Sequence, residues 1–245
     1  MYRYKLTIEY DGSNFSGWQK QEGEPSVQET IAKALQKFCG QELEVCGAGR
    51  TDAGVHALGQ VAHFDAPKEY PEYTVRDALN FYLQGSGAAI VKAEKVLDDF
   101  HARFSAKERS YIYRILNRRS PSPLMAQRVW QVPLPLDGEK MSEAAEKLLG
   151  KHDFSSFRAA ECQAKSPVKT LDEISFNCSG EEIIIYVRAR SFLHNQVRII
   201  TGTLVQVGLG KLTPEDVANI LKAKDRTKAG PTAPPFGLYL YRVHY

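Results

Sequence analysis

From Tyr2 to Tyr10 bulky residues alternate with polar ones: Tyr2, Tyr4, Leu6, Ile8 and Tyr10 against Arg3, Lys5, Thr7 and Glu9. That period of two predicts a half-buried strand, and Asp11-Gly12-Ser13-Asn14 ends it. Ser26 with Glu29 reads as a capping box, and Val27, Ile31, Leu35 and Phe38 follow at helical spacing. Strands are expected at Leu43 to Cys46 and Gln60 to Phe64, a helix capped by Thr74 and Asp77 through Leu83, and a strand from Ala88 to Val96. The first half thus reads β-α-β-β-α-β. The second half repeats the order. Ser110 to Leu116 is a strand, and Met141, Ala145, Leu148 and Leu149 mark a helix face. Leu171 to Cys178 and Glu182 to Arg190 form a hairpin around Ser179-Gly180. A helix from about His194 to Val207, a short one capped at Thr213-Pro214-Glu215-Asp216 and a strand from Leu238 to His244 complete it. The expected fold is α+β: two tandem ferredoxin-like halves, residues 1–104 and 105–245, with mainly antiparallel sheets meeting at a central cleft.

Composition narrows the class without naming a chemistry. Hydrophobic residues make up 43% and charged residues 25% of 245, an ordinary globular balance. The N-terminus does not read as a signal peptide and no stretch approaches a membrane span, so the cytoplasm is the expected address. Cys39, Cys46, Cys162 and Cys178 are scattered with no Cys-x-x-Cys pair. They read as buried structural thiols rather than a zinc site or a redox pair. A formal charge of +3 says little. The runs Arg103, Lys107, Arg109, Arg114, Arg118, Arg119, Arg128 and Lys222, Lys224, Arg226, Lys228 are either solvated charge or a phosphate-tracking surface.

The most chemically suggestive segment is Gly49-Arg50-Thr51-Asp52-Ala53-Gly54-Val55-His56-Ala57. Glycines on both sides let the backbone turn sharply and let a ligand approach. A carboxylate on such a loop can serve as nucleophile or general base. Local physics alone favours a solvated turn, since Asp and Gly are common in turns for reasons of their own.

That block matches in full the signature of the tRNA pseudouridine synthase A family, and the resemblance runs nearly end to end. Asp11-Gly12 with Phe15-Ser16-Gly17-Trp18-Gln19 looks like the family's first block, and Tyr111-Ile112-Tyr113-Arg114 resembles its second motif. Phe157 to Thr170, Phe192 to Arg198, and Thr232-Ala233-Pro234 with Gly237-Leu238-Tyr239-Leu240 follow in order. The resemblance implies isomerisation of uridine to pseudouridine at positions 38, 39 and 40 in the anticodon stem-loop of tRNA, by a cofactor-free homodimer. Asp52 is the implied catalytic residue. Attack at ribose C1′, attack at uracil C6 and removal of the C2′ proton all remain open to it.

The same resemblance assigns Tyr111 to the base pocket, where a tyrosine stacks on uracil, and leaves Tyr113 to the core. It pairs Arg198 with Asp52, and places Arg50 in the space vacated when the nucleotide leaves its stack. Asn195-Gln196 stands where many relatives carry His-Met, which leaves the start of that helix less defined. His56 and His63 read as polar groups of loop and strand, and Phe15 and Trp18 as packing beneath the Asp52 loop. Two rival functions are a non-catalytic RNA-binding module and a nucleosidase. The first would carry the aromatic strand signature of sheet-based RNA binders, and the second a pair of flanking carboxylates.

Overall fold

The computed structural model describes residues 1–245, which divide into two compact units: Met1–Lys107 with Tyr239–Tyr245, and Glu108–Leu238. In the first, β1 (Tyr2–Tyr10) buries Tyr4, Leu6, Ile8 and Tyr10, as its alternation requires. There follow α1 (Val27–Cys39), β2 (Cys46–Gly47), β3 (His56–Ala66), α2 (Glu72–Tyr82) and β4 (Ala88–Lys95). The sheet order is β4-β1-β3-β2, all antiparallel, the arrangement expected of a ferredoxin-like half. Val27, Ile31, Leu35, Val75 and Leu79 turn the apolar stripes of both helices into the core.

Boundaries differ from expectation where a local signal was mistaken for a terminus. Ser26 caps α1 by accepting the Glu29 amide (3.3 Å), but the Glu29 carboxylate turns to Lys33 (3.2 Å). Thr74 and Asp77 lie inside α2, which begins after Pro71. The strand expected over Leu43 to Cys46 shrinks to the two residues of β2, whereas β3 runs well past both ends of Gln60 to Phe64.

The second unit contains β5 (Glu108–Leu116), β6 (Trp130–Gln131), α3 (Gly138–Glu146), β7 (Gly150–Asp153), β8 (Val168–Ser179), β9 (Glu182–Ala189), α4 (Gln196–Gly208) and α5 (Pro214–Ala223). Its sheet runs β5-β9-β8-β7 antiparallel, with β6 parallel to β5. Ile183, Ile185, Val187 and Ala189 point one face of β9 into the core. The expected hairpin turns at Gly180, whose φ of 58° suits glycine. Every residue of α4 except Arg198 and Gln206 is buried, so α4 is the central helix of this unit. Thr213 and Asp216 make a complete capping box for α5.

The final strand, β10 (Leu238–His244), matches its expected bounds. Its residues from Tyr239 onward belong to the first unit, where β10 pairs in parallel with β3 (Tyr239 opposite His56, Leu240 opposite Ala57). Both halves are α+β and mainly antiparallel. No helix is long and apolar enough to cross a membrane.

Candidate active site

Asp52 lies between β2 and β3, on a loop held from both sides by the segment that follows β1. The Trp18 amide donates to the Thr51 carbonyl (3.1 Å), and the Gly54 amide donates to the Phe15 carbonyl (3.3 Å). The Val55 amide donates back to the Asp52 carbonyl (3.1 Å), closing a turn in which Gly54 has φ of 76°, the left-handed value that type II turns put at their third residue. The entry is held by β3, where Gln60 donates its side-chain amide to the Gly49 carbonyl (3.0 Å).

Two glycines make this closeness possible. A Cβ at Gly17, where φ is 105°, would stand 2.6 Å from the Thr51 carbonyl oxygen, and one at Gly12 would stand 2.1 Å from that of Val55. Phe15 and Trp18 are buried, with the Trp18 ring against Gly47. The aromatics of the first block therefore pack under the loop, as read from the sequence.

His56 is buried in β3, stacked on Tyr239 with ring centroids 4.6 Å apart. Its Nδ1 accepts the Gly12 amide (3.0 Å), so a neutral ring carries its proton on Nε2. It serves as a strut between the two segments. Asp52 is half-buried, while Arg50, two residues earlier on the same loop, is exposed.

In the second unit Tyr111 is half-buried on β5, opposite Val187, and its ring meets Phe192 edge-on at 5.1 Å. Tyr113, two residues on, is fully buried; its hydroxyl donates to the Pro234 carbonyl (2.7 Å), and burial pushes its pKa well above the usual phenol range. The two tyrosines share a face of the strand but not an environment. Arg198 donates through Nε to the Ala233 carbonyl (2.7 Å) and through Nη1 to Asn195 Oδ1 (2.9 Å), and the Ala233 amide donates to the Arg198 carbonyl (3.1 Å). Asn195 holds φ of 60° at the start of α4, a conformation asparagine tolerates.

Four residues of the basic runs have partners within the unit that bears them. Arg114 pairs with Glu182 (2.6 Å), Arg118 with Glu181 (3.0 Å) and Lys224 with Asp153 (3.5 Å). Arg226 reaches the carbonyl of Gly230 (3.0 Å) and the hydroxyl of Thr232 (3.1 Å).

Expectation also missed a cluster of potential metal ligands in the first unit. Cys46 and His63 face each other across β2 and β3, and His101 joins them so that one ligand atom from each lies within 4.8 Å of the others. The imidazoles are committed elsewhere. His63 Nδ1 accepts the Ala102 amide (3.2 Å), and His101 Nδ1 accepts the Arg103 amide (3.1 Å). Each neutral ring then carries its proton on Nε2. Nor are the four cysteines buried thiols: Cys39, Cys46 and Cys162 are half-buried and Cys178 is exposed. Spacing along the chain could not show this, because the cluster forms through strand register.

Two sheet-and-helix halves, one presenting a carboxylate on a loop gripped from both sides, define an α+β protein suited to acid–base or nucleophilic chemistry. A family model described as tRNA pseudouridine synthase matches residues 6–105 and 144–245. The tRNA pseudouridine synthase A of Paramagnetospirillum magneticum is 58% identical over 245 residues, covering 100% of this chain and 96% of that protein. Those of Parvibaculum lavamentivorans and Bartonella tribocorum are 56% and 54% identical, each over the full length of both chains. A chain in the crystal structure of a Cbf5-Nop10-Gar1 complex is similar at a TM-score of 0.38 and 12% identity, with 97% of this chain spanning 49% of that one. The chain belongs to the tRNA pseudouridine synthase family, and is thereby an isomerase.

Proposed function

We propose that this enzyme converts uridine to pseudouridine in the anticodon stem-loop of tRNA, at positions 38, 39 and 40, with Asp52 as the catalytic nucleophile or base. The reaction breaks the bond from ribose C1′ to uracil N1, turns the base, joins C1′ to C5, releases the C5 proton to water and returns a proton to N1. It gains and loses no electrons. The observation that carries the assignment of Asp52 is its loop, tied down by backbone hydrogen bonds on either side. A carboxylate that must meet one atom of a flipped nucleotide needs a fixed origin, which a solvated turn does not. Tyr111, Arg50 and Arg198 are proposed as substrate-binding residues. Tyr111 presents a half-buried ring able to stack on uracil, and Arg50 an exposed guanidinium able to meet phosphate or fill a vacated stack. Arg198 is held in place by Ala233 and Asn195. We further propose a cytoplasmic homodimer; a solution mass of a single chain would exclude the dimer.

The test uses tRNA tritiated at uracil C5. The wild-type enzyme should release tritium to water and leave the RNA chain intact. Asp52→Asn should lower release by about 10²- to 10⁴-fold or more while binding tRNA normally. Undiminished release by that variant would sink the assignment. A nucleosidase would liberate free uracil, and a binding module would release nothing.

A further inference from the structure

Beneath the Asp52 loop two buried hydroxyls meet. Tyr10 ends β1 and is 3% exposed; Thr51 immediately precedes Asp52 and is 8% exposed. Their oxygens are 2.7 Å apart. The Tyr10 ring packs against Phe15 and Trp18, with centroids 6.4 and 6.3 Å away. Those aromatics belong to the segment whose backbone already grips the loop through the Thr51 carbonyl and the Gly54 amide. Thr51 is thus held at its carbonyl and at its hydroxyl.

Burial alone does not call for these residue types. Phenylalanine and valine would fill nearly the same volume with less polar surface to desolvate. Replacing both partners of a buried hydrogen bond by apolar groups of like shape is close to neutral for stability. What the hydroxyl pair adds is direction: a short hydrogen bond fixes distance and angle, where apolar contact tolerates sliding. One peptide unit separates that fixed point from the Asp52 Cα.

We propose that Tyr10 and Thr51 are positioning residues for the isomerisation, their hydrogen bond setting the orientation in which the Asp52 carboxylate meets the nucleotide. The proposal rests on Asp52 being the catalytic carboxylate. Neither hydroxyl touches the substrate in this scheme; both act through Asp52. Rate should respond to their loss, because a misplacement of about 1 Å can cost on the order of 10²-fold. Affinity for tRNA should not, because it is shared among many backbone contacts.

The experiment measures kcat, KM for tRNA and melting temperature for Tyr10→Phe/Thr51→Val, for each single variant, for Thr51→Ser and for Asp52→Asn. The double variant should keep KM and melting temperature near wild type while kcat falls by about 10- to 100-fold. It should be no slower than the worse single variant, since both remove one shared bond. Thr51→Ser, which keeps the hydroxyl, should stay close to wild type. The proposal is overturned if the double variant retains wild-type kcat, if its rate falls only in step with its stability, or if Thr51→Ser is as slow as the double variant. Asp52→Asn separates the two levels. If it is inert while the double variant is fully active, only the positioning role fails; if it turns over normally, the role of Asp52 fails and the positioning role falls with it.

Discussion

Cys46 shows how far a side chain's chemistry depends on its neighbours. Burial, and the Glu44 carboxylate beside its thiol, push its pKa up to about 11. The nearby His63 imidazole is shifted below its ordinary value, chiefly by burial and then by Arg3. A thiol so shifted is a weak nucleophile at neutral pH. Cys46 should therefore alkylate more slowly at pH 8 than the exposed Cys178, and accelerate as pH approaches 11; equal rates at pH 8 would contradict this environment. The stability consequence has the sign of a raised pKa. Above about pH 9 the unfolded thiol ionises first, so the stabilisation is intact below that and lost as pH rises towards 11. Asp52 stood out in the sequence because its block is rich in glycine and matches a family signature. The hydrogen bond of Tyr10 to the preceding Thr51 was not legible, because residue 10 and residue 51 meet only when β1 and the loop are folded together.

At the scale of elements, local signals performed well where local physics decides. The alternation of β1, the Ser26 cap of α1 and the Thr213–Asp216 box of α5 all appear where the pattern put them. They failed at α2, where Thr74 and Asp77 imitate a cap but the chain is already helical from Glu72. An N-cap signature needs an extended residue to act on, and Pro71 had supplied the start. In α4 the decisive residue is Gly202. A Cβ there would stand 1.7 Å from the Pro231 carbonyl oxygen, so the helix lies directly on the segment that also meets Arg198 through Ala233. Gly202→Ala gains helix propensity worth about 1 kcal/mol, yet forces that segment away. It should lower stability by a net of about 1–2 kcal/mol, read as a fall in denaturation midpoint. A variant as stable as wild type would show that this contact yields readily.

Over the whole molecule, the last strand joins the first unit. Tyr239, Leu240 and Val243 of β10 are buried, and Tyr239 backs the His56 ring that holds Gly12. At about 1.5–3 kcal/mol per fully buried apolar side chain, ending the chain at Leu238 should cost on the order of 5 kcal/mol, a large share of a typical domain's stability. Thermal unfolding would reveal it as a strongly lowered transition, and an unchanged one would mean that the parallel pairing with β3 contributes little.

The order of elements in the first half, the helices and the longer strands of the second, the α+β class and the block around Asp52 follow from the sequence itself, because periodicity, capping and turn chemistry act over a few neighbouring residues; the short strands β6 and β7 do not. The hydroxyl bond under Asp52, the Cys46–His63–His101 cluster and the unit in which β10 sits were decided by tertiary structure. Each depends on residues far apart in the chain meeting through strand pairing, and strand pairing is specified by the mutual burial of whole faces rather than by any segment alone.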